Sequence, residues 1–92
     1  MATYMMSRIQ VEDYDLWKQT FDSDPFDIRK AATGHRLFRS VDDPNELSVS
    51  VEFVSTDDAT AARERLLSSG VFDRLTLKSG PTVAEEAETL VY

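Results

Sequence analysis

Residues 36–53, RLFRSVDDPNELSVSVEF, contain two apolar segments separated by a polar turn. In the second segment, Glu46 to Val54, the apolar residues Leu47, Val49, Val51 and Phe53 alternate with Ser48, Ser50 and Glu52. This alternation predicts a strand in a sheet that is covered on one face only. His35 to Val41 predicts a strand before it, and Asp42 to Asn45, which include Pro44, predict the turn that joins the two. The stretch is therefore expected to form a β-hairpin.

A further strand is predicted near the N-terminus. From Ala2 to Val11 the chain alternates loosely, with Met5, Ser7, Ile9 and Val11 on one side and Tyr4, Met6, Arg8 and Gln10 on the other. Because successive side chains of a strand point to opposite faces, we expect the first set to face the core and the second set to lie on an open face. In the strand that precedes the turn, the pattern does not settle which face Arg36 and Arg39 occupy.

Residues 11–22, VEDYDLWKQTFD, predict the first helix. Asp13 is placed to accept hydrogen bonds from free amides at the helix start, and Asp15 in the first turn is favoured by the helix dipole. Tyr14, Trp17 and Phe21 recur at the spacing of one helical face. We interpret Trp17 mainly as an anchor of the helix on the sheet, with a ligand-binding role as the alternative. As an anchor, Trp17→Ala is expected to cost about 3–5 kcal/mol.

The first helix is expected to end at Asp24 and Pro25. Proline cannot donate a backbone hydrogen bond and disfavours helical geometry in the residue before it. Proline also suits the first position of a new helical turn. Phe26 to Ala32 therefore predicts a second short helical piece, capped by Asp24 and ended by Gly34.

The C-terminal half predicts one longer helix. Ser55 and Asp58 have the spacing of a capping box. The apolar residues that follow recur along one helical face at Ala59, Ala62 and Leu66, and this helix is expected to end before Gly70.

The remaining segments complete the order of elements. Val71 to Lys78 is short enough for a helical turn or an irregular connection, and both alternatives stay open. Thr82 to Val91 predicts the last strand, with Val83, Ala87 and Val91 on one side. Strand, helix, strand, strand, helix, strand is the order of the ferredoxin-like fold, an α+β arrangement with an antiparallel sheet. Residues 1–92 are expected to form a single domain of this kind, with both helices on one face of the sheet.

The other face of the predicted sheet combines apolar and polar side chains, namely Tyr4, Met6, Arg8, Ser48, Ser50 and Glu52. The first and third strands are neighbours in this fold, so Arg8 and Glu52 are predicted to lie close together. Ser50 is expected beside them, with Tyr4 further along the strand. Charges covered by a partner must be paired. We therefore interpret Arg8 and Glu52 as an ion pair between subunits or, alternatively, as part of a ligand site that holds a phenolate or carboxylate.

The composition excludes several classes of function. The net charge of −7 repels nucleic acids and anionic membrane surfaces. With no cysteine and one histidine, the chain lacks the residues of a disulfide framework, a thiolate metal site or an evident nucleophilic triad. The adjacent carboxylates at 42–43 and 57–58 are interpreted as caps, because neighbouring residues do not converge on one ion. No segment has the pattern of a secretion signal or a membrane span, so we expect a cytoplasmic protein. Because the chain has no thiolates and only one histidine, we expect it to hold no metal or cofactor.

Three stretches resemble a known group of proteins: VEDYDLWKQTFDSDP at 11–25, RLFRSVDDPNELSVSVEF at 36–53 and GPTVAEEAE at 80–88. They are similar to small bacterial proteins of the dimeric α/β-barrel superfamily, akin to the antibiotic biosynthesis monooxygenases. The resemblance extends over nearly the whole chain. It implies a homodimer in which two ferredoxin-like subunits pack their open sheet faces together, with a cavity between the sheet and the helices of each subunit.

The resemblance also implies a function. Better-known relatives oxidise polycyclic phenols with dioxygen and no cofactor, or bind and degrade haem, and some members of this group are labelled cyclases. Haem-degrading members have an asparagine on an early strand and a histidine on the second helix, whereas His35 begins a strand here and Asn45 lies in a turn. A small-molecule binding protein for an aromatic or polyketide-like compound is therefore expected, with cofactor-independent monooxygenase or cyclase-like activity as the leading hypothesis. The alternative is a non-catalytic metabolite-binding or regulatory homodimer.

Overall fold

The computed structural model describes residues 2–92 and contains one antiparallel sheet of four strands and two α-helices. In chain order the elements are β1 (Thr3–Gln10), α1 (Tyr14–Ser23), β2 (Ala32–Arg39), β3 (Glu46–Phe53), α2 (Thr56–Ser69), a 3-10 helix (Val71–Asp73) and β4 (Thr76–Glu85). The strands lie side by side in the order β2-β3-β1-β4. This order confirms the predicted ferredoxin-like fold.

The pairing of the strands confirms the alternation in the sequence. Strand β1 pairs with β3, with Met5 opposite Val51 and Ile9 opposite Leu47. All four side chains are buried. The predicted hairpin is also confirmed, because β2 pairs with β3 in antiparallel register.

Both predicted helix starts are confirmed in atomic detail. The Asp13 carboxylate accepts hydrogen bonds from the amides of Asp15 and Leu16, at 2.9 and 3.2 Å. At the start of α2, the Ser55 hydroxyl accepts from the Asp58 amide at 3.1 Å. These side chains satisfy amides that have no partner inside the helix.

The predicted helical piece at 26–32 is wrong, because this segment forms turns. Asp24 and Asp27 have left-handed backbone conformations, with φ of 49° and 55°, which a right-handed helix cannot contain. The Asp24 carboxylate accepts hydrogen bonds from the amides of Ile28 and Arg29 at 2.9 and 3.1 Å, and this holds the turns in place. Gly34 ends no helix: it lies in β2, next to a shift in the register with β3.

The last strand begins and ends earlier than predicted. It covers Thr76–Glu85 instead of 82–91, so part of the segment at 71–78 that we left open belongs to it. The register with β1 shifts on either side of Arg8, which interrupts the alternation that reveals a strand in a sequence. Gly80, with φ of 85°, lies so close to the Met6 carbonyl oxygen that a side chain there would collide with it.

The core divides into two clusters under the two helices. The larger one joins α2 to the sheet and the 24–31 turns, and consists of Met5, Ile28, Val51, Phe53, Ala59 and Ala62. The smaller one contains Ile9, Val11 and Leu47, with Tyr14 and Trp17 of α1 packed against it. Within residues 2–92, no helix has the length and apolar character needed to cross a membrane.

Candidate functional site

A cavity of about 280 Å³ lies between α1 and the inner face of the sheet. The floor of the cavity is formed by side chains of the sheet, including Met5, Ser7, Ile9, Val49 and Val51. The roof and ends of the cavity are formed by Trp17, Phe21, Phe26, Ile28, Leu66, Phe72 and Leu75. Most of this lining is apolar. Concave apolar cavities with few polar groups are the usual form of sites for small molecules.

The cavity exists because α1 meets the sheet through large aromatic side chains. Tyr14, Trp17 and Phe21 form a continuous row, with ring centroids 6.1 Å apart for the first pair and 5.0 Å for the second. None of the residues of α1, all of which the structure describes, is buried. The aromatic row therefore spans the space beneath the helix without filling it.

Two side chains of the β2–β3 hairpin hold the N-terminal end of α1. The Asn45 side-chain oxygen accepts from the Tyr14 amide at 3.1 Å, and its nitrogen donates to the Glu12 carbonyl at 3.2 Å. The Arg39 guanidinium lies 3.9 Å from the centre of the Tyr14 ring, a favourable cation–π distance. The turn itself is ordered by Asp43, whose pKa is lowered by hydrogen bonds from the Asn45 amide and the Gln10 side chain.

The C-terminal end of α1 is held by Arg29 from the 24–31 turns. Its guanidinium donates to the Phe21 carbonyl at 3.3 Å and to the Asp22 carboxylate at 3.0 Å. Lys18 also donates to Asp22, at 2.5 Å. Hydrogen bonds from Lys18 and then Arg29 lower the pKa of Asp22 below its ordinary value. Thus α1 is attached at both ends and spans the cavity between them.

His35 lies at the mouth of the cavity, on the edge strand β2. The residue is exposed, and its ring lies nearly perpendicular to that of Phe21, with centroids 5.0 Å apart. The sequence placed His35 only at the start of a strand and did not predict this position. The sequence pattern of β2 does not fix which face His35 occupies; that follows from its pairing with Val51, which faces the core. Ser7, by contrast, was recognisable from the sequence, as the one polar residue among the predicted inward side chains Met5, Ser7, Ile9 and Val11.

Trp17 lines the cavity and packs against the smaller core cluster. Its side chain is half-buried and stacked on Phe21. This position combines the anchoring contact that we expected with direct access to the cavity. Of the candidate ligand-binding residues predicted from sequence, Trp17 is the one that borders this cavity.

The other four candidates, Tyr4, Arg8, Ser50 and Glu52, lie on β1 and β3 and point to the open face. The predicted closeness of Arg8 and Glu52 is wrong. In the observed register Arg8 lies opposite Ser48, whereas Glu52 lies opposite Tyr4, at the other end of the strand pair. The structure therefore does not bring these candidates together into one site.

Arg8 instead forms an ion pair with Glu46 of the same chain. Lys78 lies 3.4 Å from the second oxygen of the same carboxylate. Hydrogen bonds from Arg8 and then Lys78 lower the pKa of Glu46. The Arg8 guanidinium thus already has a carboxylate partner within the chain, at one end of the open face.

The register also settles the orientation of β2. Arg36 and Phe38 lie opposite Ser50 and Ser48, so they point to the open face, whereas Arg39 points towards α1. On this face Met6 is 42% exposed and Phe38 is 56% exposed. Large apolar side chains in contact with water beside charged groups are typical of a surface that binds another protein.

Within residues 2–92, no three His, Cys, Asp or Glu side chains are grouped as metal ligands. No family model matches the sequence, and no curated protein matches it. Solved structures do share the fold, as the sequence resemblance predicted.

One of these structures is SnoaB, a cofactor-independent oxygenase from Streptomyces nogalater. It has a TM-score of 0.72 and 17% identity, covering 97% of this chain and 96% of that one. A Bordetella bronchiseptica protein, named as an antibiotic biosynthesis monooxygenase, has a TM-score of 0.62 and 18% identity over 97% and 98% of the two chains. Rv0793 from Mycobacterium tuberculosis has a TM-score of 0.59 and 16% identity over 96% and 100%. At these identities the likeness concerns the fold.

Proposed function

We propose that the cavity beneath α1 binds a small, largely apolar and aromatic molecule. The observation that carries this proposal is the aromatic row of α1, which roofs an apolar space on the inner face of the sheet. Flat aromatic ligands pack favourably against such rings in stacked or edge-on geometry. A volume of about 280 Å³ is at the lower end of small-molecule sites, which favours a compact ligand.

We further propose a cofactor-independent monooxygenase or cyclase-like activity. An activated aromatic carbon acid can lose a proton and then react with dioxygen, giving a ketone and water from one CH₂ group and one O₂. The protein must exclude water, orient the substrate and accept the proton. The imidazole of His35, which lines the cavity, is the group that we assign to accept it. The fold likeness to SnoaB, a cofactor-independent oxygenase, supports this choice.

The alternative function is metabolite binding without turnover. The same cavity supports it, since a fold does not determine whether a bound molecule reacts. The two functions differ in one measurable respect. An oxygenase consumes dioxygen when a polycyclic phenol is added, whereas a binding protein gives a saturable complex and no product.

Ligand binding can be followed through Trp17, because it is the only tryptophan in the chain and it borders the cavity. Titration with naphthol and anthrone should change its fluorescence in a saturable manner. The variant Ser7→Leu tests the location of the site, because it places a larger apolar side chain on the cavity floor. It should weaken binding by about tenfold or more while the fold is kept. Equal affinity in Ser7→Leu and wild type would place the ligand elsewhere and contradict the proposal.

We also propose that the chain is a homodimer joined through the open face. Met6 and Phe38 supply exposed apolar surface there, and a chain of 92 residues gains stability when such surface is covered. Arg36 and Glu52 lie on the same face and form no ion pair within residues 2–92. Because covered charges need partners, we expect these two side chains to pair between the subunits.

Light scattering coupled to size exclusion tests the dimer directly. Wild type should have about twice the mass of a 10.4 kDa chain. Phe38→Asp should give monomers, because it buries a charge at the proposed interface. Leu67→Asp is the matched control: Leu67 is similarly exposed, at 55%, but lies on α2. A monomeric wild type, or dissociation by both variants alike, would contradict an interface on the open face.

A further inference from the structure

The charged side chains that line the cavity are already engaged within the protein. Arg29 donates to the Asp22 carboxylate at 3.0 Å and to the Phe21 carbonyl at 3.3 Å, and its guanidinium lies 5.2 Å from the Phe21 ring centre. The Asp24 carboxylate accepts from two backbone amides, those of Ile28 at 2.9 Å and Arg29 at 3.1 Å. Both charged groups therefore have partners within the chain.

The neutral polar groups of the lining are few, and two of them are also committed. The Thr20 hydroxyl donates to the Leu16 carbonyl at 3.4 Å, and the Thr33 hydroxyl donates to the Glu52 carbonyl at 3.3 Å. Ser7 on the floor, the indole N–H of Trp17 and His35 at the mouth are the remaining side-chain groups of the lining that can form hydrogen bonds. The site can therefore offer a ligand hydrogen bonds, but no unengaged cation.

We infer that the ligand enters this cavity as an uncharged molecule, and that the site rejects carboxylates of the same shape. This inference rests on the proposed binding function and specifies the class of its ligand. A carboxylate moved from water into an apolar space loses its hydration, and the loss is severe unless a cation compensates it. An ester or a protonated phenol loses much less. The net charge of −7 adds a weaker, long-range repulsion of anions.

Arg29 is the residue through which an acid could still be accepted. To bind a ligand carboxylate, the Arg29 guanidinium would have to release Asp22. The free energy gained from the new ion pair would then be offset by the loss of the existing one. The Asp22 carboxylate is also bound by Lys18, which keeps it in place beside Arg29. Asp22 is thus assigned as the residue that sets the charge preference of the mouth, although it does not line the cavity.

The charge preference is tested with two probes of nearly equal shape, naphthoate and its methyl ester, by calorimetry at about pH 7, where the acid is ionised. We expect the ester to bind about tenfold or more tightly than the carboxylate. Equal or tighter binding of naphthoate would overturn the inference and leave the binding function intact. If neither probe binds, and naphthol does not bind either, both the inference and the proposed function fail.

Asp22→Asn tests the cause of the preference. This exposed substitution removes the partner of Arg29 without changing the cavity lining. Naphthoate affinity should rise several-fold in the variant, whereas the ester should bind as in wild type. The double variant Asp22→Asn with Arg29→Gln should lose that gain, because the cation is gone. An unchanged naphthoate affinity in Asp22→Asn would show that Arg29 is not held back by Asp22 and would overturn this assignment.

Discussion

The two helices cover the same face of the sheet in opposite ways. Helix α2 approaches it through Ala59 and Ala62, which are both 0% exposed, so its backbone lies directly on the core. Helix α1 approaches it through Tyr14, Trp17 and Phe21, and none of its residues within 14–23 is buried. Small residues allow a helix to pack close to the sheet. A row of large rings instead holds the helix away from the sheet and leaves a space between them. The same sheet therefore packs directly against α2, whereas a cavity lies between it and α1.

The largest effect expected from this comparison is the cost of Phe53→Ala. Phe53 is 1% exposed and packs in the cluster that contains Ala59 and Ala62. Removal of its ring from a closely packed region should lower the free energy of unfolding by about 3–5 kcal/mol. Urea denaturation followed by circular dichroism measures this. A cost below that of Trp17→Ala would mean that the α2 side is not the more tightly packed half.

Trp17→Ala should cost less, about 1–2 kcal/mol, because one side of the indole borders a cavity and gives up fewer contacts. The sequence predicted a cost of about 3–5 kcal/mol for this substitution, which is typical of a tryptophan that is packed on all sides. Naphthol binding, measured by calorimetry, should fall by about tenfold or more. Trp17→Phe is the control. It keeps an aromatic ring in the row and should retain most of the stability and most of the naphthol affinity.

Asn45→Ala tests whether α1 depends on its attachment at the hairpin. The substitution removes the hydrogen bonds to the Tyr14 amide and the Glu12 carbonyl, at a cost of about 1–2 kcal/mol. Amide hydrogen exchange should accelerate in the first turn of α1 and stay unchanged in α2. Asn45→Asp keeps the acceptor for Tyr14 and should show a smaller acceleration. Equal acceleration in both helices would indicate global destabilisation instead.

The smallest effect is expected at acid pH, at the other end of α1. The pKa of Asp22 is lowered in the folded protein, so its contribution to stability is present above its ordinary value of 3.8 and is lost as the pH falls through the lowered pKa. The melting temperature of Asp22→Asn should therefore lie below that of wild type near neutral pH and approach it in acid. Because the pair is exposed, the difference should be small and should shrink in high salt. A difference that persists in acid would point to a cause other than charge.

Much of the fold could be predicted because each element has a local signal. The alternation at 46–53, the caps Asp13 and Ser55, and the terminating Gly70 depend on neighbouring residues only, and all are confirmed. The errors occur where distant parts of the chain decide. Strand β4 was displaced because its register with β1 shifts around Arg8, and the 24–31 turns depend on the left-handed backbone of Asp24 and Asp27.

The candidate site was less predictable for the same reason. Strand order alone placed Arg8 near Glu52, but the observed register of β1 against β3 places Arg8 beside Glu46. The sequence predicted the apolar spacing of Trp17 and Phe21, yet spacing cannot show whether a face is filled or spans a void. His35 was missed because the orientation of β2 follows from its pairing with β3.

The attachment of α1 at both ends also limits which molecules can be accommodated beneath it. A helix of 10 residues is about 15 Å long, and it is held by Asn45 at one end and by Arg29 at the other. A longer ligand could not be accepted by widening the cavity sideways; it would have to project past His35 at the mouth. The length of one helix therefore sets an upper limit on ligand size, and exchanges within its aromatic row could adjust ligand shape while the sheet and α2 stay as they are.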